Sequence, residues 1–334
     1  MLVDDFDYHL PENLIAQKPL EERDTSRLMV LDGRDIIHKH FRDLENYMNK
    51  GDVLVVNNSR VIPARLRGRK STGGKIEVLL IRELATGWEC LLRGRAGAGS
   101  ELFFDGNLKA RVLERHNEMA VLSFNAGSGL RSIIESIGEV PTPPYIKTKL
   151  EDSERYQTIY SKYEGSVAAP TAGFHFSEKL LKKLKNKGVE IAEITLHVGP
   201  GTFMPVKVKQ IEKHKMHSEF FTIEAGEAEK INLALEEGKG VVAVGTTSVR
   251  ALESATGEGR VIPKSSYTDI FIYPGYKFKL EYMGMITNFH LPKSTLLMLV
   301  CAFEGKERIF RAYEEAIKQR YRFYSFGDAM LLLR

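Results

Sequence analysis

The spacing of apolar residues changes twice along the chain. The runs "SRLMVLD" (Ser26 to Asp32) and "DVLVVNN" (Asp52 to Asn58) are almost continuously apolar and are bounded by turn formers, which predicts buried strands. "IIHKHF" reads as a further strand and "RDLENYM" as a short helix. From about Arg65 to Gly127 the pattern breaks into "KIEVLLIREL", "GWECLLRG", "SELFFDG", "LKARVLERH" and "MAVLSFN". These short strands recur at roughly 8–12 residues with glycine-containing turns and no long helix between them, the pattern of a small barrel or sandwich. A helical piece, "GLRSIIESIG", follows. "VPTPPYIK" (Val140 to Lys147) then reads as a linker, because proline pushes its predecessor toward extended backbone.

After Tyr156 strands and helices alternate again. "SEKLLKKLKNKG" carries a serine N-cap at Ser177 and a glycine stop at Gly188. The strand "VEIAEITL", the helix "AGEAEKINLALEEG", and the strand–turn–helix "KGVVAVGTTSVRALES" come next. "STLLMLVCAF" and "KERIFRAYEEAIKQR" are the last helices. The expected fold class is mixed α+β, or α/β, in two domains. A discontinuous, barrel-like α/β domain would comprise residues 1–64 and 151–334, with a small all-β barrel of residues 65–150 inserted.

Composition narrows this picture. The chain has 334 residues, 43% hydrophobic and 28% charged, the profile of a globular protein. The apolar run "TLLMLVCAF" is too short to span a bilayer, and the acidic N-terminus lacks a signal-peptide layout, so a cytoplasmic, membrane-free protein is expected. Cys90 and Cys301 fit a reducing compartment and offer no cysteine-based zinc spacing. A net charge of +4 permits a nucleic-acid partner without demanding one.

Polar residues crowd into six short stretches. "VVNNSRVIPAR" holds Asn57, Asn58 and Arg60 behind a buried strand. "APTAGFHF" sets His175 between two phenylalanines. "TLHVGPGTF" puts His197 ahead of a glycine-rich turn, which reads either as an anion loop or as the mounting of a histidine. "KHKMHSE" offers His217 and Glu219, a pair able to tune an imidazole, with solvated surface residues or, with His214, a metal site as the alternatives. "VGTTSVRALES" brings Thr246, Thr247 and Ser248 to a helix start, where one hydroxyl suffices as a cap and the others are free to hold a ligand. Arg250 lies one turn in, available to clamp an anion. "TNFHLPKS" repeats the His175 arrangement with Asn288 and His290, and gives the next helix a cap in Ser294. Outside these stretches, Asp269 in "YTDIFIYPG" is a candidate ligand for an amine or hydroxyl. Arg65, Arg67, Arg69 and Lys70 form a basic run, and Arg322 stands among the aromatics of "YRFYSFGD".

Together with "FDYHLPENLIAQKPLEERDTSRLMVLD" and "YRFYSFGDAMLL", these stretches, in this order from Phe6 to Leu332, resemble the S-adenosylmethionine:tRNA ribosyltransferase-isomerases of queuosine synthesis. Residues of about 65–150 carry little of the likeness. The resemblance implies an α/β part with an inserted β-barrel, and a donor, S-adenosylmethionine, consumed as a co-substrate for its ribosyl group. It implies a tRNA acceptor carrying 7-aminomethyl-7-deazaguanine, neither prosthetic group nor metal, and a monomer. His175, His197, His217, Glu219 and His290 are then candidates for moving protons. Asn57, Asn58, Arg60, Thr246, Thr247, Ser248, Arg250, Asp269 and Asn288 are candidates for holding substrate. Arg65, Arg67, Arg69, Lys70 and Arg322 are candidates for contacting tRNA. Two rival readings are an S-adenosylmethionine-dependent RNA methyltransferase, against which the missing glycine-rich motif after the first strand argues, and a non-catalytic RNA-binding protein.

Overall fold

The computed structural model describes residues 1–148, 150–203 and 206–334. Its larger part is built on a nine-stranded mixed sheet. Across the sheet the order is Lys264–Thr268, Glu219–Ile223, Glu190–Leu196, Val53–Asn57, Val241–Val244, Gly284–Asn288, Ala329–Leu333, Arg27–Asp32, Asp35–His40. The strands Glu190–Leu196, Val53–Asn57, Val241–Val244 and Gly284–Asn288 run parallel to one another. Continuous apolar runs such as "VLVVN" suit this position, since both faces of a central parallel strand are covered. Val53 and Val55 point into a core formed with the helices Ala225–Glu236, Thr246–Ala255, Thr295–Glu304 and Lys306–Lys318. Leu54 and Val56 point to the opposite core, closed by the helix Glu178–Lys187 and the 3-10 helix Phe41–Tyr47. The result is three layers. The expected barrel-like α/β part is an open sheet: Lys264–Thr268 and Asp35–His40 are its two unjoined edges.

The segment between Val53–Asn57 and Glu190–Leu196 contains the closed barrel. Its six antiparallel strands, in order around the barrel, are Met119–Phe124, Gly87–Arg93, Lys75–Leu84, Arg65–Lys70, Glu101–Phe104 and Lys109–His116. Alternate residues Ile76, Val78 and Leu80 turn inward, as a period of two requires. With Leu66, Leu92, Leu102 and Leu122 they form a separate apolar core, and Leu130 and Ile134 of the helix Leu130–Ile137 join it. The chain enters the barrel through Ser59–Val61 and returns through Tyr163–Ser166, and these two short strands pair in parallel.

Local signals set several element ends as expected. Ser177 accepts from the N–H of Leu180 at 3.1 Å, and Gly188 stops that helix in the left-handed region at φ 90°. Ser294 accepts from the N–H of Leu297 at 3.2 Å. Where a hydroxyl cap was expected before "TTSVRALES", Gly245 is the N-cap and no side chain bonds the first amides. No helix among the described residues is long and apolar enough to cross a membrane.

Candidate functional site

The four parallel strands end together at Asn57, Leu196, Val244 and Asn288. The antiparallel pairing of Asn288 with Ala329, and the parallel pairing of Leu28 with Ala329, bring Asp328 and Ser26 to the same edge. Ligands of open α/β sheets collect at the carboxyl ends of the strands. Five of the six polar stretches meet this edge, and "KHKMHSE" reaches it by leading into the antiparallel strand Glu219–Ile223 beside Thr195 and Leu196.

The edge carries two separate polar centres. The first is a cleft of about 550 Å³ between sheet and barrel. His197, His217 and Glu219 line its sheet side, and Trp88, Arg82 and Met119 line its barrel side. The imidazole of His197 lies nearly parallel to the ring of Phe220, with centroids 6.3 Å apart and planes at 14°. Burial lowers its pKa from the usual histidine value, so the ring is neutral near pH 7. Its Nδ1 is buried and has no hydrogen-bond partner among the described residues.

Two glycines make room for these rings. A Cβ on Gly165 would lie 2.9 Å from the His197 ring, and Gly165 itself has φ 139°. A Cβ on Gly201 would meet Cδ2 of His217 at 2.5 Å. Within "TLHVGPGTF", Gly201 thus lies against His217 and Gly199 against Glu219. The signal for Gly165, in "YEGSVAAP", is not visible from sequence spacing.

Glu219 is 5% exposed and its carboxylate is fully committed. Oε1 accepts from the N–H of Gly199 at 2.8 Å, and Oε2 pairs with Nη1 of Arg250. Arg250 also donates through Nε to the carbonyl of Ile270 at 3.3 Å, and its Nη2 is buried without a partner among the described residues. The expected His217–Glu219 pair is corrected: both line the cleft, but Glu219 bonds Arg250 and Gly199, and no hydrogen bond joins it to His217 among the described residues. His217 is exposed at the cleft.

The second centre lies further along the edge. His175 is 3% exposed, with Nδ1 2.8 Å from Oγ of Ser26 and Nε2 3.1 Å from Nδ2 of Asn288. Asn288 takes Thr171 Oγ1 on its Oδ1 at 3.0 Å, so its Nδ2 is the donor; it reaches both His175 and the carbonyl of Tyr324, at 3.2 Å. Nε2 of His175 therefore accepts and Nδ1–H faces Ser26. Burial, reinforced by Arg322 and Arg23, pushes the His175 pKa down to about 3. Both ring nitrogens are occupied. His290 bonds Thr287 Oγ1 through Nε2 at 2.7 Å, and burial pushes it down to about 3 as well. The four histidines do not converge on one pocket: His197 and His217 share the cleft, whereas His175 and His290 are held neutral in the second centre.

The remaining candidates divide similarly. The Asn57 amide clamps neighbouring strands: its Nδ2 donates to the Leu196 carbonyl at 3.0 Å and its Oδ1 accepts from the N–H groups of Leu196 and Ser59 at 3.0 and 3.1 Å. Asn58 donates to Glu193 at 3.0 Å and accepts from Thr195 at 2.7 Å, beside a second hollow that also touches His197. Arg60 bonds Ser161 at 3.0 Å and pairs with Glu154. Ser248 returns its hydroxyl to the Val244 carbonyl at 2.7 Å, Thr246 is buried, and Thr247 Oγ1 is buried without a partner among the described residues. Asp269 is exposed beyond the strand Lys264–Thr268. On the barrel, Arg65 donates to the Thr142 carbonyl at 3.0 Å, Arg67 pairs with Glu139 at 3.2 Å, Arg69 is exposed and Lys70 is half-buried. Arg322 donates to the Phe326 carbonyl at 2.5 Å.

Known proteins resemble the chain along its whole length. A family described as "Queuosine biosynthesis protein" matches residues 3–332. The S-adenosylmethionine:tRNA ribosyltransferase-isomerase of Carboxydothermus hydrogenoformans is 52% identical, with 100% of both chains covered. The protein of the same name from Acetivibrio thermocellus is 53% identical over 99% of this chain and 100% of its own. A crystal structure of S-adenosylmethionine tRNA ribosyltransferase from Thermotoga maritima aligns over 98% of this chain and 100% of that one, with TM-score 0.58 and 41% identity.

Proposed function

The chain belongs to the queuosine biosynthesis protein family, and from that premise we propose that it transfers and isomerises the ribosyl part of S-adenosylmethionine onto 7-aminomethyl-7-deazaguanine at the tRNA wobble position, giving epoxyqueuosine and releasing adenine and methionine. The observation that carries this reading is the cleft between barrel and sheet, with a neutral, partner-free imidazole of His197 at a parallel strand's carboxyl end.

The donor's sulfonium acidifies the adjacent ribose 5′ carbon, and removing that proton needs a base that is unprotonated near neutral pH. A half-buried histidine with lowered pKa meets the requirement, and we assign the step to His197. His217, at the mouth, is assigned the proton of the attacking amine. Glu219 and Arg250 act as positioning residues that fix the Gly199 backbone next to His197. Thr247 Oγ1, a buried hydroxyl at a helix start, is available to a donor hydroxyl or carboxylate. Arg67, Arg69 and Lys70 lie on the barrel strand Arg65–Lys70 and are assigned to tRNA phosphates, the sequence-independent part of RNA binding.

Residues 65–150 are read as an inserted domain, and 1–64 with 151–334 as the catalytic one. The barrel's separate apolar core supports that division. A cytoplasmic monomer is the assembly proposed, to be checked by sedimentation. The activity is tested by incubating the protein with S-adenosylmethionine and tRNA bearing the deazaguanine. Adenine release is expected; folded protein that releases none overturns the reading, and methyl label retained on RNA identifies a methyltransferase instead.

A further inference from the structure

Three guanidinium groups converge behind His175. Arg23, Arg155 and Arg322 line a surface cavity of about 20 Å³ together with Ser26, His175 and Ser325. None of the three is solvated freely. Arg23 donates to the carbonyls of Phe174 and Glu154 at 3.2 and 3.3 Å, and its guanidinium carbon lies 5.9 Å from the centre of the Phe174 ring. Arg155 donates to the carbonyls of Glu21, at 3.1 Å, and Leu20. Arg322 is anchored on Phe326 and has Asp328 3.8 Å from its Nε.

The charge in this group is only partly offset. Asp328 faces Arg322 at 3.8 Å, whereas Asp152 and Glu154 act on Arg23 without an ion pair to Arg23 or Arg155 among the described residues, and Glu154 pairs with Arg60. Nε of Arg155 is buried with no hydrogen-bond partner among the described residues. Like charges held half-buried at short range destabilise one another, and burial removes the water that would screen them. Backbone carbonyls hold the three planar donor groups against the same hollow, and planar guanidinium donors suit an oxyanion. The space admits a single oxygen-sized group. A ligand that fits must therefore place one anionic oxygen inside and keep its remainder outside.

We propose that Arg23, Arg155 and Arg322 bind a phosphodiester of the RNA backbone, a contact separate from the cleft where the base and the donor meet. The site rests on the reading that the substrate is tRNA. A chain phosphate presents a small anionic oxygen on a body too large to enter, which matches the cavity.

The experiment measures tRNA binding by the full-length wild type, Arg23→Gln, Arg155→Gln and Arg155→Lys between low and moderate salt. Each Gln variant is expected to bind tRNA about ten-fold more weakly, and the slope of log affinity against log salt should fall by about one, the signature of one lost phosphate contact. Arg155→Lys should keep the slope. S-adenosylmethionine affinity should stay at wild-type values in every variant, as should all readouts of Arg34→Gln, in the turn at the far end of the strand Arg27–Asp32. Unchanged tRNA affinity and slope in folded Gln variants, confirmed by their melting curves, overturn the site. Inorganic phosphate that raises the melting temperature of wild type but not of Arg155→Gln, with tRNA binding unaltered, marks a free-anion site and overturns the RNA assignment. A wild type with no affinity for tRNA overturns the functional reading itself, a result distinct from the other two.

Discussion

The Gly199 N–H donates to Oε1 of Glu219 at 2.8 Å while the other oxygen of the same carboxylate holds Arg250. One buried acid thus ties the turn after His197 to the helix Thr246–Ala255. Replacing it as Glu219→Gln keeps an acceptor for Gly199 but leaves the Arg250 charge uncompensated, with side chains 6% and 4% exposed in the native pair. The expected loss is about 3–5 kcal/mol of unfolding free energy, measured from urea midpoints. A midpoint within error of wild type would remove Glu219 from this role.

Proton removal is assigned to His197, and its partner Gly165 offers a second handle. His197→Ala is expected to slow exchange of the donor's 5′ hydrogen into deuterated water by roughly 10²–10⁴-fold, the usual worth of a general base, while S-adenosylmethionine still binds. Gly165→Ala should produce a smaller loss of the same kind, since its methyl would press on the imidazole from 2.9 Å. Normal exchange in His197→Ala shifts the assignment to His217.

Acid stability follows from the two neutral histidines. Their folded pKa values, about 3, lie below the ordinary 6.5. Between these limits the unfolded chain holds protons that the folded chain does not, so stability falls as pH drops from 6.5 toward 3. Each group contributes a slope of about 1.4 kcal/mol per pH unit inside that window. His290→Gln should flatten the pH dependence of the urea midpoint by one such increment. An unaltered slope would mean that His290 is protonated in the native state.

Trp88 is the one tryptophan of the sequence and lines the cleft from the barrel side. Its fluorescence is expected to change on adding S-adenosylmethionine, with a midpoint equal to the donor affinity measured independently by calorimetry. A silent Trp88 during measured binding would place the donor elsewhere.

The sequence reveals architecture through periodicity and hides convergence. Alternation in "KIEVLLIREL" and the solid run "VLVVN" each follow from how many faces an element buries, which is local information. Serine caps at Ser177 and Ser294 are equally local. What eluded spacing is direction: Asn57 looks like a substrate ligand in "VVNNSR", yet its amide is consumed by Leu196, a residue 139 positions away. Likewise "KHKMHSE" suggests an internal pair, but the buried Arg250 is a stronger partner for Glu219 than a neighbouring exposed imidazole. Arg23 and Arg155 escaped because a guanidinium in "EERDTSR" or "DSERY" reads as solvated until the fold sets both against Arg322.

The two strands that lead into and out of the barrel are stapled to each other and to the turn that bears His197. The Ser166 hydroxyl donates to Ser59 at 2.9 Å and accepts from the N–H of Val198 at 3.0 Å, and Val167 N–H reaches the Val198 carbonyl at 2.9 Å. A rotation of the barrel against the sheet would therefore have to break the bond from the Val198 N–H to Ser166, and faster hydrogen exchange at that amide would report it.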